Sequence, residues 1–156
     1  MISMVSLAEN EAANVVALME VQLEEVEKYG IATIEGKLDD VASGKCVISS
    51  LIEKPKLESA PSRLAVVGRY VLQPGIFDIL ENIEPGVSGE IQLTDALDLM
   101  ARNPEIAGPV YGYVIRGRRF DMGNQLSYLK AVIELASERS DIGKPLKSWL
   151  KEFSQD

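Results

Sequence analysis

The chain has 156 residues, 46% of them hydrophobic and 26% charged, the balance of one ordinary folded domain able to bury a core. A formal net charge of −8 with scattered basic residues excludes a nucleic-acid partner, since the chain would repel a polyphosphate backbone. The sequence holds no histidine, which excludes zinc hydrolysis and Ser/His or Cys/His catalysis within it. Its one cysteine, Cys46, reads as an apolar strand position and cannot form an internal disulfide. No stretch has the apolar length of a membrane span, and residues 1–10 lack both the basic and the continuous apolar part of a signal peptide. No membrane contact is expected, and cytoplasmic residence is the default.

In chain order, residues 15–21 form an almost continuous apolar run, the pattern of a strand buried on both faces. One or two helical turns follow over 23–28, then a strand over 29–34 and a hairpin-like connection over 37–45 with Asp39, Asp40, Ser43 and Gly44. Residues 46–53 are its partner strand. A polar loop over 57–63 contains Pro61, and 64–72 is a strand rich in β-branched and aliphatic side chains. Pro74 opens a helix in which Ile76, Phe77, Ile79 and Leu80 can share a face. Beyond a glycine-containing loop over 82–89, Leu93, Leu97 and Met100 recur at helical spacing until Asn103-Pro104 ends the helix. Residues 110–115 alternate as a strand, 116–118 turn, 123–137 form a long helix, and an amphipathic segment carries Leu146, Trp149, Leu150 and Phe153. This order predicts an α/β fold, a mixed β-sheet flanked by helices, in a single domain over 1–156 that ends in an amphipathic helical segment over 143–156.

Four places could carry chemistry. In Leu51-Ile52-Glu53-Lys54-Pro55-Lys56 a strand delivers a carboxylate and an ammonium to its end, where proline stops it. That string reads either as a solvated strand end or as a grip on a phosphorylated polyol, with lysine the point charge for phosphate and glutamate the acceptor from hydroxyls. Gly89-Glu90-Ile91-Gln92-Leu93-Thr94-Asp95 reads either as helix capping by Thr94 or Asp95 or as a ligand loop. Phe120-Asp121-Met122-Gly123 places a carboxylate between a strand and a long helix, which suits a cap or a Mg²⁺ ligand. Arg116, Arg118 and Arg119 form either a phosphate clamp or a solvated turn.

Taken together these segments resemble a family. Val15-Val16-Ala17-Leu18, Tyr29-Gly30-Ile31-Ala32, Ile52-Glu53-Lys54-Pro55, the run from Ala60-Pro61-Ser62-Arg63 to Tyr70-Val71-Leu72, Pro85-Gly86, Gly89-Glu90-Ile91-Gln92-Leu93-Thr94-Asp95-Ala96-Leu97 and Phe120-Asp121-Met122-Gly123 occur in family order. The chain resembles the C-terminal half of bacterial UTP–glucose-1-phosphate uridylyltransferases, in the sugar-phosphate nucleotidylyltransferase superfamily, over about residues 12–142. The resemblance implies that Glu53 binds sugar hydroxyls, that Lys54 contacts the sugar-1-phosphate and serves catalysis, and that Gly30 and Val66 line the sugar pocket. It implies Asp121 as a catalytic metal ligand, one of two aspartates holding Mg²⁺. The reaction implied is attack of the glucose-1-phosphate oxygen on the α-phosphorus of UTP with release of diphosphate.

The family's glycine-rich G-x-G-T-R loop, its first metal aspartate and its uracil-reading residues have no match here, and residues 1–14 contain no glycine. The expected partners are therefore glucose-1-phosphate or a related sugar phosphate, with UTP only where an N-terminal half is supplied, and the chain is expected to be inactive alone. A sheet continuous through both halves would leave an uncovered strand edge, so homo-oligomerisation is expected, with 123–137 and the Trp149 segment as candidate faces or as cover for the sheet. The alternatives are a non-catalytic sugar-phosphate-binding or assembly module and a decayed gene product.

Overall fold

The computed structural model of the chain describes residues 1–38, 44–86, 89–120 and 122–154. Contacts divide it into two units, Met1–Arg116 and Gly117–Asp156. The first contains α1 (Ile2–Glu11), β1 (Asn14–Glu20), a 3₁₀ segment (Leu23–Lys28), β2 (Gly30–Ile34), β3 (Lys45–Glu53), a 3₁₀ turn (Leu57–Ser59), β4 (Leu64–Val71), α2 (Ile76–Asn82), α3 (Leu93–Arg102), α4 (Pro104–Ala107) and β5 (Val110–Val114). The second contains α5 (Gln125–Glu138) and α6 (Gly143–Phe153).

The sheet is mixed, as the element order predicts. β1 runs parallel to β5 and antiparallel to β4, while β2 pairs antiparallel with both β3 and β4. The expected open edge is absent among the described strands, because the pairing closes in the order β1-β4-β2-β3-β5 and back to β1. Length explains the closure. β3 has nine residues, so its first part pairs Lys45, Cys46 and Val47 with β5 while its remainder, Ile48 to Glu53, pairs with β2. Most of the expected hairpin connection, residues 39–43, lies outside the described residues.

β1 is apolar without alternation because both of its faces are buried. Val16 and Leu18 join the main core with Ile48, Leu51, Ala96, Leu97 and Met100, whereas Val15 and Ala17 pack under Met4 and Ala8 of α1. No sequence signal singles out α1: it buries only those two side chains, at i and i+4, and leaves Ile2 86% exposed. In α2, Ile76 and Ile79 are buried and Phe77 is exposed, so the face is narrower than its composition suggests. A register shift between Val16 and Leu18 pairs them with Tyr70 and Val66, and Gly68 takes up the extra length at a φ of +71°. Among the described residues of the second unit only Ala131 of α5 and Gly143 of α6 are buried. Within that unit Trp149 and Phe153 of α6 stack with ring centroids 5.3 Å apart.

Candidate functional site

Glu53 is the last residue of β3, and Lys54 follows it with a φ of +44°, the left-handed region that side chains other than glycine's rarely enter. The Lys54 amide donates to Tyr29 O at 3.0 Å, which holds this bend against the start of β2, and the buried Pro55 ends the strand. The bend brings the ammonium back toward its neighbour: Lys54 Nζ lies 3.7 Å from Glu53 Oε1, with the lysine side chain 62% exposed and the glutamate 24%. A non-glycine residue in this region carries backbone strain, which persists only where the surroundings over-determine it.

Register places the other expected sugar-site residues in the same row. Gly30 pairs directly with Glu53 across β2 and β3. The β2–β4 ladder pairs Ile31 with Ala65, so Gly30 and Val66 stand one step further along those two strands. Val66 is buried in the main core at 7% exposure. A Cβ on Gly30 would lie 2.9 Å from Thr94 Oγ1 and 3.1 Å from Glu53 Oε2, so α3 approaches too closely for any side chain there. An open cleft of about 530 Å³ has Glu53, Lys54, Gly86, Gln92, Asp95 and Asp98 in its wall. Gly30 and Val66 are not part of that wall. Asp121 lies outside the described residues.

Known proteins place this arrangement in context. A family model for nucleotidyl transferases matches residues 2–138. The chain belongs to the nucleotidyl transferase family. It is 44% identical over 128 residues to the UTP–glucose-1-phosphate uridylyltransferase of Pseudomonas aeruginosa, covering 82% of this chain and 43% of that protein. Against the enzyme of the same name from Streptococcus pyogenes it is 37% identical over 138 residues, covering 88% and 43%. The chain thus spans less than half the length of these relatives. Among solved structures, a UDP-glucose pyrophosphorylase complexed with UDP-glucose superposes with a TM-score of 0.75 at 39% identity, covering 88% of this chain and 49% of that one. The UTP-bound enzyme from Acinetobacter baumannii gives 0.75 at 33% identity, covering 96% and 48%.

In this nucleotidyl transferase chain, α3 contributes more than the sequence reading assigns it. Its N-cap is Gln92, and no side chain caps that end, so the capping reading of Thr94 and Asp95 does not hold. Thr94 Oγ1 instead donates to Glu53 Oε2 at 2.6 Å. Asp98 accepts from the Leu51 amide at 2.7 Å and from Arg102 Nε at 2.8 Å, which fastens α3 to β3 and leaves that carboxylate committed to the fold. Tyr70 faces the same region: burial, and then the charge of Glu53, push its phenol above the usual range. Only the Gly89–Leu97 motif could have pointed to Thr94, and it reads equally well as a helix start.

The arginine cluster resolves in favour of structure for Arg118. Its guanidinium binds Glu138 through both carboxylate oxygens at 2.6 Å and Glu134 at 2.7 Å, tying the segment before α5 to that helix. These partners, Glu138 foremost, hold its pKa above the ordinary value.

Burial, then the charges of Glu53 and Asp98, hold the Asp95 carboxyl above the ordinary carboxylate range. A raised folded pKa means that the folded chain keeps a proton which the unfolded chain releases. Asp95 therefore works against folding at neutral pH, and the penalty disappears as pH falls through the raised folded value toward 3.8. Asp95→Asn is expected to stabilise the chain slightly at pH 7, the gain reduced by solvent screening, and to give no gain below pH 3.8. Urea denaturation across pH measures this; a constant difference at all pH values would refute it.

Proposed function

We propose that the chain is the sugar-phosphate-binding, C-terminal half of a UTP–glucose-1-phosphate uridylyltransferase, and that it binds glucose-1-phosphate without completing the transfer alone. The observation that carries the reading is the strained Glu53–Lys54 pair at the end of β3, opening on the cleft in a chain 44% identical to an enzyme of that name. Lys54 supplies a compact positive charge for the phosphate, and Glu53, already near it, accepts from sugar hydroxyls. Gly30 leaves the space that lets α3 and Glu53 meet, and Val66 gives the row an apolar end. The attacking phosphate oxygen is already ionised at neutral pH, so the work is alignment and charge neutralisation rather than proton abstraction. A chain without histidine can do that work.

Asp121 has the hard oxygen donor that suits Mg²⁺, which takes few carboxylates and keeps waters and substrate phosphates in its shell. When bound, the ion would neutralise phosphate charge.

Calorimetric titration with glucose-1-phosphate and with UTP, each with Mg²⁺, tests the reading. Binding of the sugar phosphate without binding of UTP is expected. Formation of UDP-glucose by the isolated chain would overturn the proposed inactivity, and absence of sugar-phosphate binding would overturn the site. The non-catalytic alternative gives the same binding; it is separated by adding an N-terminal half from a related enzyme, which restores transfer only under the first reading.

A further inference from the structure

Threonine is a residue type that helix starts use to serve a backbone amide, but Thr94 lies two places past the N-cap, Gln92. It is the second residue of α3, and it caps nothing. The side chain is almost buried, 8% exposed, and its hydroxyl reaches across to β3 to donate to Glu53 Oε2 at 2.6 Å. That is a short hydroxyl–carboxylate hydrogen bond. The two oxygens of Glu53 thereby become unequal: Oε2 is tied to α3, and Oε1 is the oxygen near Lys54 Nζ. Gly30 makes the bond possible, because a Cβ there would intrude on both Thr94 Oγ1 and Glu53 Oε2. Three elements thus converge to fix one carboxylate.

We propose that Thr94 is a positioning residue of the sugar site, holding Glu53 so that Oε1 meets a sugar hydroxyl at one fixed place. The proposal rests on the reading of Glu53 as the hydroxyl acceptor. A carboxylate locked before the ligand arrives loses no rotamer freedom on binding, and it reaches one hydroxyl stereochemistry better than its epimer. Thr94 therefore governs sugar affinity and discrimination, whereas phosphate affinity belongs to Lys54.

The test compares wild type, Thr94→Val, which keeps the branched shape without the hydroxyl, and Thr94→Ser, which keeps the hydroxyl. Each is titrated calorimetrically with glucose-1-phosphate, galactose-1-phosphate and orthophosphate. The valine variant is expected to bind glucose-1-phosphate about tenfold more weakly. It should also discriminate less between the two epimers and bind orthophosphate as wild type does, and serine should restore both affinity and discrimination. Should the valine variant fail to fold, Thr94→Ala carries the same comparison. Equal affinity of wild type and variant for glucose-1-phosphate would overturn the positioning role while leaving the sugar-phosphate reading intact. Parallel loss for all three ligands, or failure of serine to restore, would identify a merely structural residue and overturn it too. A wild type without affinity for glucose-1-phosphate would remove the underlying reading and the role with it.

Discussion

Replacing Asn14 by alanine is expected to lower stability by about 3 kcal/mol, a fall in Tm of roughly 10 °C for a chain of this size. Asn14 is fully buried at the first position of β1, and its side chain binds two separate segments. Its Nδ2 donates to Ala107 O at 2.8 Å and more weakly to Pro109 O at 3.4 Å, and its Oδ1 accepts from the Gln73 amide at 2.8 Å. The entry to β5 and the exit from β4 are thereby fixed to the start of β1, at the end of the sheet where β1 and β5 run parallel. Parallel neighbours cannot be set by a tight turn, so a side-chain clamp at this end does what a hairpin does elsewhere. Alanine would leave the Ala107 carbonyl and the Gln73 amide without these partners and open a small cavity, each a destabilising change. Asn14→Asp separates the contributions: it keeps the acceptor but, once ionised, sets a negative oxygen against the two carbonyls. Burial would raise that carboxyl's pKa, so the aspartate variant loses stability as pH rises above the ordinary carboxylate range and recovers toward acid, while the alanine variant shows no such dependence. Thermal melts followed by circular dichroism check both. A fall in Tm of less than about 3 °C for Asn14→Ala, near 1 kcal/mol, would show that the clamp is dispensable.

The elements that were legible in the sequence share one property: their burial shows in a short window, as a continuous apolar run or as a period. The apolar run of β1 and the i, i+4, i+7 spacing of Leu93, Leu97 and Met100 in α3 needed no tertiary knowledge. What failed to show is nonlocal. α1 buries too narrow a stripe to produce a periodic signal. The closure of the sheet depends on how far β3 extends past its pairing with β2, a geometric fact that no window of residues contains. At the site, adjacency made Glu53 and Lys54 visible, because both groups arrive together at a strand end. Thr94 was not visible in that role: its partner is 41 residues away, and a threonine two residues into a helix looks like a cap whether or not it is one. Arg118 gave the opposite ambiguity, decided by Glu134 and Glu138, which a reading of the turn alone does not bring near.

The second large effect concerns Lys54. Lys54→Ala should weaken glucose-1-phosphate binding by about 100-fold while changing stability by no more than about 0.5 kcal/mol. The ammonium is largely exposed and its nearest charged partner is Glu53 Oε1 at 3.7 Å, an arrangement of little worth to folding in water. A charge-assisted bond to phosphate in the cleft is worth more, and its loss falls on the ligand. The backbone at this residue offers a sharper comparison. With φ at +44°, Lys54 pays a steric cost of roughly 1–2 kcal/mol that glycine would not, so Lys54→Gly should equal or exceed wild type in stability despite glycine's greater freedom when unfolded. If the same variant also loses the sugar phosphate, a strained lysine is being retained for the ligand at the expense of the fold. Calorimetry and denaturant melts on the alanine and glycine variants give both quantities. Unchanged affinity in either would remove Lys54 from the site, and a glycine variant less stable than alanine would mean that the left-handed turn carries no strain for the ligand to exploit.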